Sequence, residues 1–148
     1  MKHLVICGAI LLPWLSGLVV ADCTTTQVLI TGGPNGLAAT LSGMTINATS
    51  PAGENWKEQH VGGSGGALNK VGLGCSHPVD PTVPVGTWSV GKTGNPANTA
   101  RVTYSYTGGS SYTWSVHNNG NGTYTFCSGP GGNEIATGTF SSNVLCGP

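Results

Sequence analysis

The chain has 148 residues, the length of one domain with a real core and too short for two. Five Lys and Arg balance five Asp and Glu, and only 7% of residues are charged, which excludes an electrostatic nucleic-acid binder that needs a basic stripe. A hydrophobic content of 38%, with four Trp and four Tyr, excludes a charged disordered tail.

The export pattern stands first. Met1-Lys2-His3 is a short basic start, the run 4–20 is apolar, and Val19-Val20-Ala21 offers small residues before Asp22. This is the layout of a cleavable secretory signal over 1–21, leaving 22–148 as a single β domain. With Pro13 inside it, the run falls short of a membrane span of about 20 residues. Asp22 stands where a small residue would precede a lipidated Cys23, which argues against a lipid anchor.

Removal of 1–21 takes Cys7 and leaves Cys23, Cys75, Cys127 and Cys146, an even set that reads as two disulfides. Three connectivities are open. Closing a meander brings its first and last segments together, which favours Cys23–Cys146 with Cys75–Cys127. No Cys-x-x-Cys pair supports a zinc knuckle or a redox motif.

Helical spacing occurs once, over 36–42, where Leu37 and Leu41 sit four apart and Gly43 can cap the end. Eight short β-rich runs follow, at 44–49, 55–61, 67–72, 85–91, 101–107, 111–117, 123–128 and 134–140. Glycine clusters at 62–66, 108–109, 118–122 and 130–132 separate several of them with hairpin chemistry. The run 75–84 holds three prolines and reads as a long loop.

Alternation is clearest in the later runs. Val102, Tyr104 and Tyr106 share one face, as do Tyr112, Trp114 and Val116, and then Tyr124 and Phe126. The other face carries Arg101, Thr103, Ser105, Thr113, Ser115, His117, Thr123, Thr125 and Cys127, and is expected to meet water. The fold class is therefore all-β: a small antiparallel meander barrel, lipocalin-like, of about eight strands with one short N-terminal helix. A two-sheet β-sandwich is the alternative.

A resemblance spans most of the chain. Trp56-Lys57-Glu58-Gln59-His60, Pro78-Val79-Asp80-Pro81 and Val85-Gly86-Thr87-Trp88 look like landmarks of a family of small exported proteobacterial proteins. Arg101-Val102-Thr103-Tyr104-Ser105-Tyr106, Val116-His117-Asn118-Asn119-Gly120 and Tyr124-Thr125-Phe126-Cys127 continue the match in order. The resemblance implies a shared fold and export rather than a mechanism. The chain departs from the pattern near Asn47, where a cysteine is expected, and at Cys75.

The sharpest candidate site is Trp56, Glu58 and His60, spaced two apart on one strand face. If Trp56 packs inward, Glu58 and His60 follow it and should pair, because burying either alone costs several kcal/mol. Lys57 and Gln59 would then face water. A strand ending near Trp56 would instead leave Glu58 and His60 in solvent. Together with Trp88, Tyr104, Tyr106 and Trp114 they form the candidate ligand-binding set.

Other chemistries have weaker support. A metal site would draw on His60, His77, His117, Glu58 and Asp80, which the alternation spreads over different faces and a loop. A small secreted hydrolase or nuclease would use Glu58, His60 or His117, and Arg101, with no elbow or metal-helix motif to support it. Neither a cofactor nor a catalytic residue is called for. The reading is a secreted or periplasmic, non-enzymatic binding module holding a small, partly apolar ligand. The alternative is a structural or surface-interaction protein with a filled core. Partners are then at most a small molecule, with no nucleic acid and no membrane span after cleavage. Intact-mass analysis of exported material is expected to show a chain beginning at Asp22, and a product retaining Met1 would refute the signal.

Overall fold

The computed structural model describes residues 23, 28–29, 36–92, 100–129 and 132–143. The expected signal over 1–21 and Cys146 lie outside these residues. In chain order the elements are β1 (Val28–Leu29), α1 (Leu37–Leu41), β2 (Met44–Thr49), β3 (Asn55–His60) and β4 (Gly65–Lys70). Then come β5 (Val83–Lys92), β6 (Ala100–Tyr106), β7 (Ser111–Asn118), β8 (Thr123–Cys127) and β9 (Glu134–Ser142).

From β2 to β9 every strand pairs antiparallel with the next, and β9 returns to pair with β2. The sheet is a closed, eight-stranded, up-and-down barrel, so the sandwich alternative is set aside. Closure gives each of these eight strands a barrel neighbour on both sides and forces alternate side chains into one interior. The inward set includes Ile46, Ala48, Trp88, Val102, Tyr104, Val116 and Phe126, all buried.

One end of the barrel is plugged. Leu37 and Leu41, four apart on α1, are fully buried and bring the helix against β2, β5 and β6. Above them lie His60, Trp88 and Phe140. The Trp88 indole donates to the Val61 carbonyl at 3.0 Å, and its ring meets His60 edge-on at 5.1 Å. Among the described residues no helix is long and apolar enough to cross a membrane.

Two irregularities shape the wall. Register shifts between Leu68 and Asn69, which puts Pro84 opposite Asn69. A bulge tolerates a residue without an N–H, so β5 begins at Val83 although the prolines argued for loop as far as 84. The second shift, at Phe126/Cys127, leaves Ile135 as an extra residue between the partners Ala136 and Glu134.

The outer face departs from expectation on the β7–β8 side. Ser115, Thr125 and Cys127 are fully buried and His117 is 4% exposed, although alternation put all four on the wet face. The chain before α1 is held on this side: β1 pairs with β7 at Asn118 and His117, and Cys23 is bonded to Cys127. Several polar groups there bond to one another. Asn119 Nδ2 donates to the hydroxyls of Thr123 and Thr125 at 2.9 and 3.0 Å. Gln59, also expected in water, is 4% exposed. Asn143 lies nearby, donating to the His60 carbonyl and accepting from the Thr45 hydroxyl, so the chain after β9 reaches this part of β2 and β3.

The Cys23–Cys127 bond overturns the expected pairing of Cys23 with Cys146 and of Cys75 with Cys127. The barrel's first and last strands, β2 and β9, do meet, but Cys23 and β1 are held away from that seam, at β8 and β7. Cys75 is also disulfide-bonded. Non-reducing peptide mapping is expected to recover Cys23 with Cys127 and, once the expected signal has taken Cys7 away, Cys75 with Cys146. A Cys75–Cys127 peptide would refute this. Replacing Cys23 and Cys127 by Ala should lower unfolding free energy by about 2–5 kcal/mol.

Candidate functional site

The open end of the barrel lies opposite α1, where β3 and β7 begin and β4 and β6 end. Large and small residues divide its wall. Trp56 and Glu58 on β3, Tyr104 and Tyr106 on β6, and Trp114 on β7 face Ala48 on β2 and Ala136 on β9 across an inner chamber of about 40 Å³. The two alanines leave the room that the aromatics do not fill. Above the chamber a funnel of about 590 Å³ opens to solvent, lined by Glu54, Trp56, Glu58, Lys70, Val85, Tyr106, Tyr112, Trp114 and Ile135. The chamber has room for little more than a water, whereas the funnel falls in the roughly 300–1,000 Å³ range of small-molecule sites.

Glu58 sits at the junction, 8% exposed. The Tyr106 hydroxyl donates to it, lying 2.9 and 3.1 Å from its two oxygens, and the Trp56 side chain hydrogen-bonds it as well. Burial raises its pKa above the usual carboxylate range, and these two donors pull it partly back. Burial also raises the Tyr106 phenol, and the nearby carboxylate raises it further, so Tyr106 remains a donor.

His60 lies one layer deeper and is fully buried. Its Nδ1 is 3.0 Å from the Met44 carbonyl, which can only accept, so Nδ1 carries the hydrogen. Nε2 then accepts from the Tyr104 hydroxyl at 2.9 Å. Desolvation lowers the His60 pKa to about 4, against the opposing hydrogen bond to Met44.

Period-two spacing therefore placed Trp56, Glu58 and His60 on one inward face, as expected, but the expected Glu58–His60 pairing is replaced. Each finds a tyrosine of β6, 48 and 44 residues along the chain. Of the seven candidate ligand-binding residues, Trp56, Glu58, Tyr104, Tyr106 and Trp114 line the chamber or funnel. His60 and Trp88 belong to the packed floor beneath. Tyr112 and Ile135 are lining residues outside that set. Spacing two before Trp114 could have found Tyr112. Nothing local marks Ile135, because the bulge that turns it inward depends on pairing with β8.

The residues proposed for hydrolysis do not assemble. Glu58 and His60 are inside, whereas His117 and Arg101 alternate to the outer face, with the Arg101 guanidinium beside Gly129. His77 serves its own loop, its Nδ1 accepting from the backbone N–H groups of Val79 and Asp80 at 3.3 and 3.1 Å. The barrel wall stands between the parts. Comparison with family models, curated proteins and solved structures gives no match for this chain.

The floor carries a pH signature. The unfolded chain takes a proton on His60 near pH 6.5, while the folded chain resists until about pH 4. Stability is accordingly lost as pH falls through that window, by up to about 3 kcal/mol. Glu58 works in the opposite sense: with its folded pKa raised, its burial costs more as pH rises above the unfolded value of 4.5. In urea unfolding, His60→Gln is expected to remove much of the loss between pH 6.5 and 4. An undiminished loss would show that His60 is not held neutral in the fold.

Proposed function

We propose that this chain is an exported binding module that holds a small, partly apolar ligand at the open end of its barrel. The observation that carries the reading is the funnel itself: one end of the barrel is plugged by α1, and the other opens over aromatic side chains and one buried carboxyl group. A filled structural core has no need to leave a carboxyl group beneath an open mouth, because burying it costs stability. Export is supported by the sequence pattern before Asp22, by the resemblance to small exported proteins, and by the Cys23–Cys127 bond, which is compatible with an oxidising, extracytoplasmic compartment.

A surface-interaction role has one observation in its favour. Leu73 and Val79, on the loop between β4 and β5, are 75% and 84% exposed. Native mass spectrometry of protein exported by its own host separates the two. The binding reading expects a non-covalent adduct of small mass that is released on denaturation and lost in Ala48→Phe, which fills the chamber wall. Bare protein mass in the wild type would refute it and leave the loop as the functional surface.

A further inference from the structure

The funnel has the chemistry of a cation site. The Tyr112 and Trp114 rings lie nearly parallel, 12° apart with centroids at 5.7 Å, and Tyr106 meets Tyr112 at 6.1 Å and 66°. These rings and Trp56 line the same space as Glu58. Ring faces carry the negative end of the aromatic quadrupole, and a carboxylate in the same low-dielectric wall adds to that field.

Glu58 takes its hydrogen bonds from neutral donors, Tyr106 and Trp56. Lys70 stands directly across from it in the β3–β4 ladder and is the obvious internal counter-ion. Its ammonium, however, lies 3.6 Å from Asp80 in the neighbouring loop. Asp80 thus draws Lys70 to the rim. Among the described residues no cationic side chain is paired with Glu58.

The kind of cation follows from what the wall lacks. A calcium or magnesium ion needs about six oxygen ligands, and the funnel offers two carboxylates, Glu58 buried and Glu54 exposed at the rim. A primary ammonium brings three donors that each want an acceptor. A methylated ammonium brings charge inside an apolar shell, with few or no donors, and so matches rings plus one carboxylate.

Building on the binding reading above, we infer that the funnel takes a small methylated ammonium compound, its charged head seated against Glu58 among Trp56, Tyr106, Tyr112 and Trp114. Tyr112, 45% exposed, is reached by such a ligand from solvent.

Isothermal titration at low ionic strength with choline and with 3,3-dimethylbutan-1-ol, its uncharged carbon counterpart, tests the inference. Choline is expected to bind at least tenfold tighter. Glu58→Gln should erase most of that preference, and Trp114→Leu, which keeps the wall apolar without a ring face, should weaken choline at least tenfold. Lys70→Met should tighten choline binding, since it removes a positive charge from the funnel. Equal binding of the two compounds would overturn the cation inference and leave the binding module standing. Binding of neither, with an adduct still retained by native mass spectrometry, would overturn the inference alone. Binding of neither with a bare native mass would overturn both.

Discussion

Six residue pairs, from Met44 with Ser142 to Thr49 with Thr137, join the last strand of the barrel to the first. Every interior feature depends on that seam. An open sheet of the same strands would present the indoles and phenols of β3, β6 and β7 to water on one face. Closure instead gives them a common interior, and Gly138 is part of how the seam closes so tightly. A Cβ there would lie 2.5 Å from the Asn47 carbonyl oxygen and 2.9 Å from Ile46 Cδ1, so only glycine fits between β2 and β8.

Within the closed wall, polarity is graded along the axis. The plugged end is aliphatic and aromatic with one neutral imidazole, and the open end mixes aromatics with a carboxyl group. Two tyrosines of one strand, Tyr104 and Tyr106, serve the two buried titratable groups of another, His60 and Glu58. Their period-two spacing on β6 matches that on β3, so one geometric repeat satisfies both. The deeper pair reads as structure, because both imidazole nitrogens are used. The shallower one leaves carboxylate acceptor capacity facing the funnel.

Much of this was written in local spacing. Alternation around Tyr104, Trp114 and Phe126 identified the inner face, glycine clusters located several hairpins, and Leu37 with Leu41 marked the only helix found among the described residues. What local spacing does not encode is who meets whom across the lumen. Glu58 and His60 were legible as inward groups, while their tyrosine partners depend on how the sheet curls. β1 was illegible for a related reason: two residues cannot show a period, and it pairs with β7 at His117 and Asn118, beyond the stretch that pairs with β6. On that same outer side Ser115 and Thr125 are buried despite their wet-face pattern, next to the Cys127 that bonds Cys23. A polar outer face identifies a side of the strand, and burial depends on what the rest of the chain lays over it.

The bond between Cys23 and Cys127 spans 104 residues, and Cys75 lies inside that interval. On the proposed export route, a chain threaded N-terminus first into an oxidising space delivers Cys23 and Cys75 long before Cys127 and the β8 strand that carries it. The first bridge open to such a chain is Cys23–Cys75, which the finished barrel does not contain. Reaching the native bond from there requires a thiolate to attack that early bridge and exchange it. Maturation of this small barrel would then depend on disulfide-exchanging capacity in its compartment as well as on oxidation, and a strongly oxidising but non-isomerising host would accumulate a mispaired form.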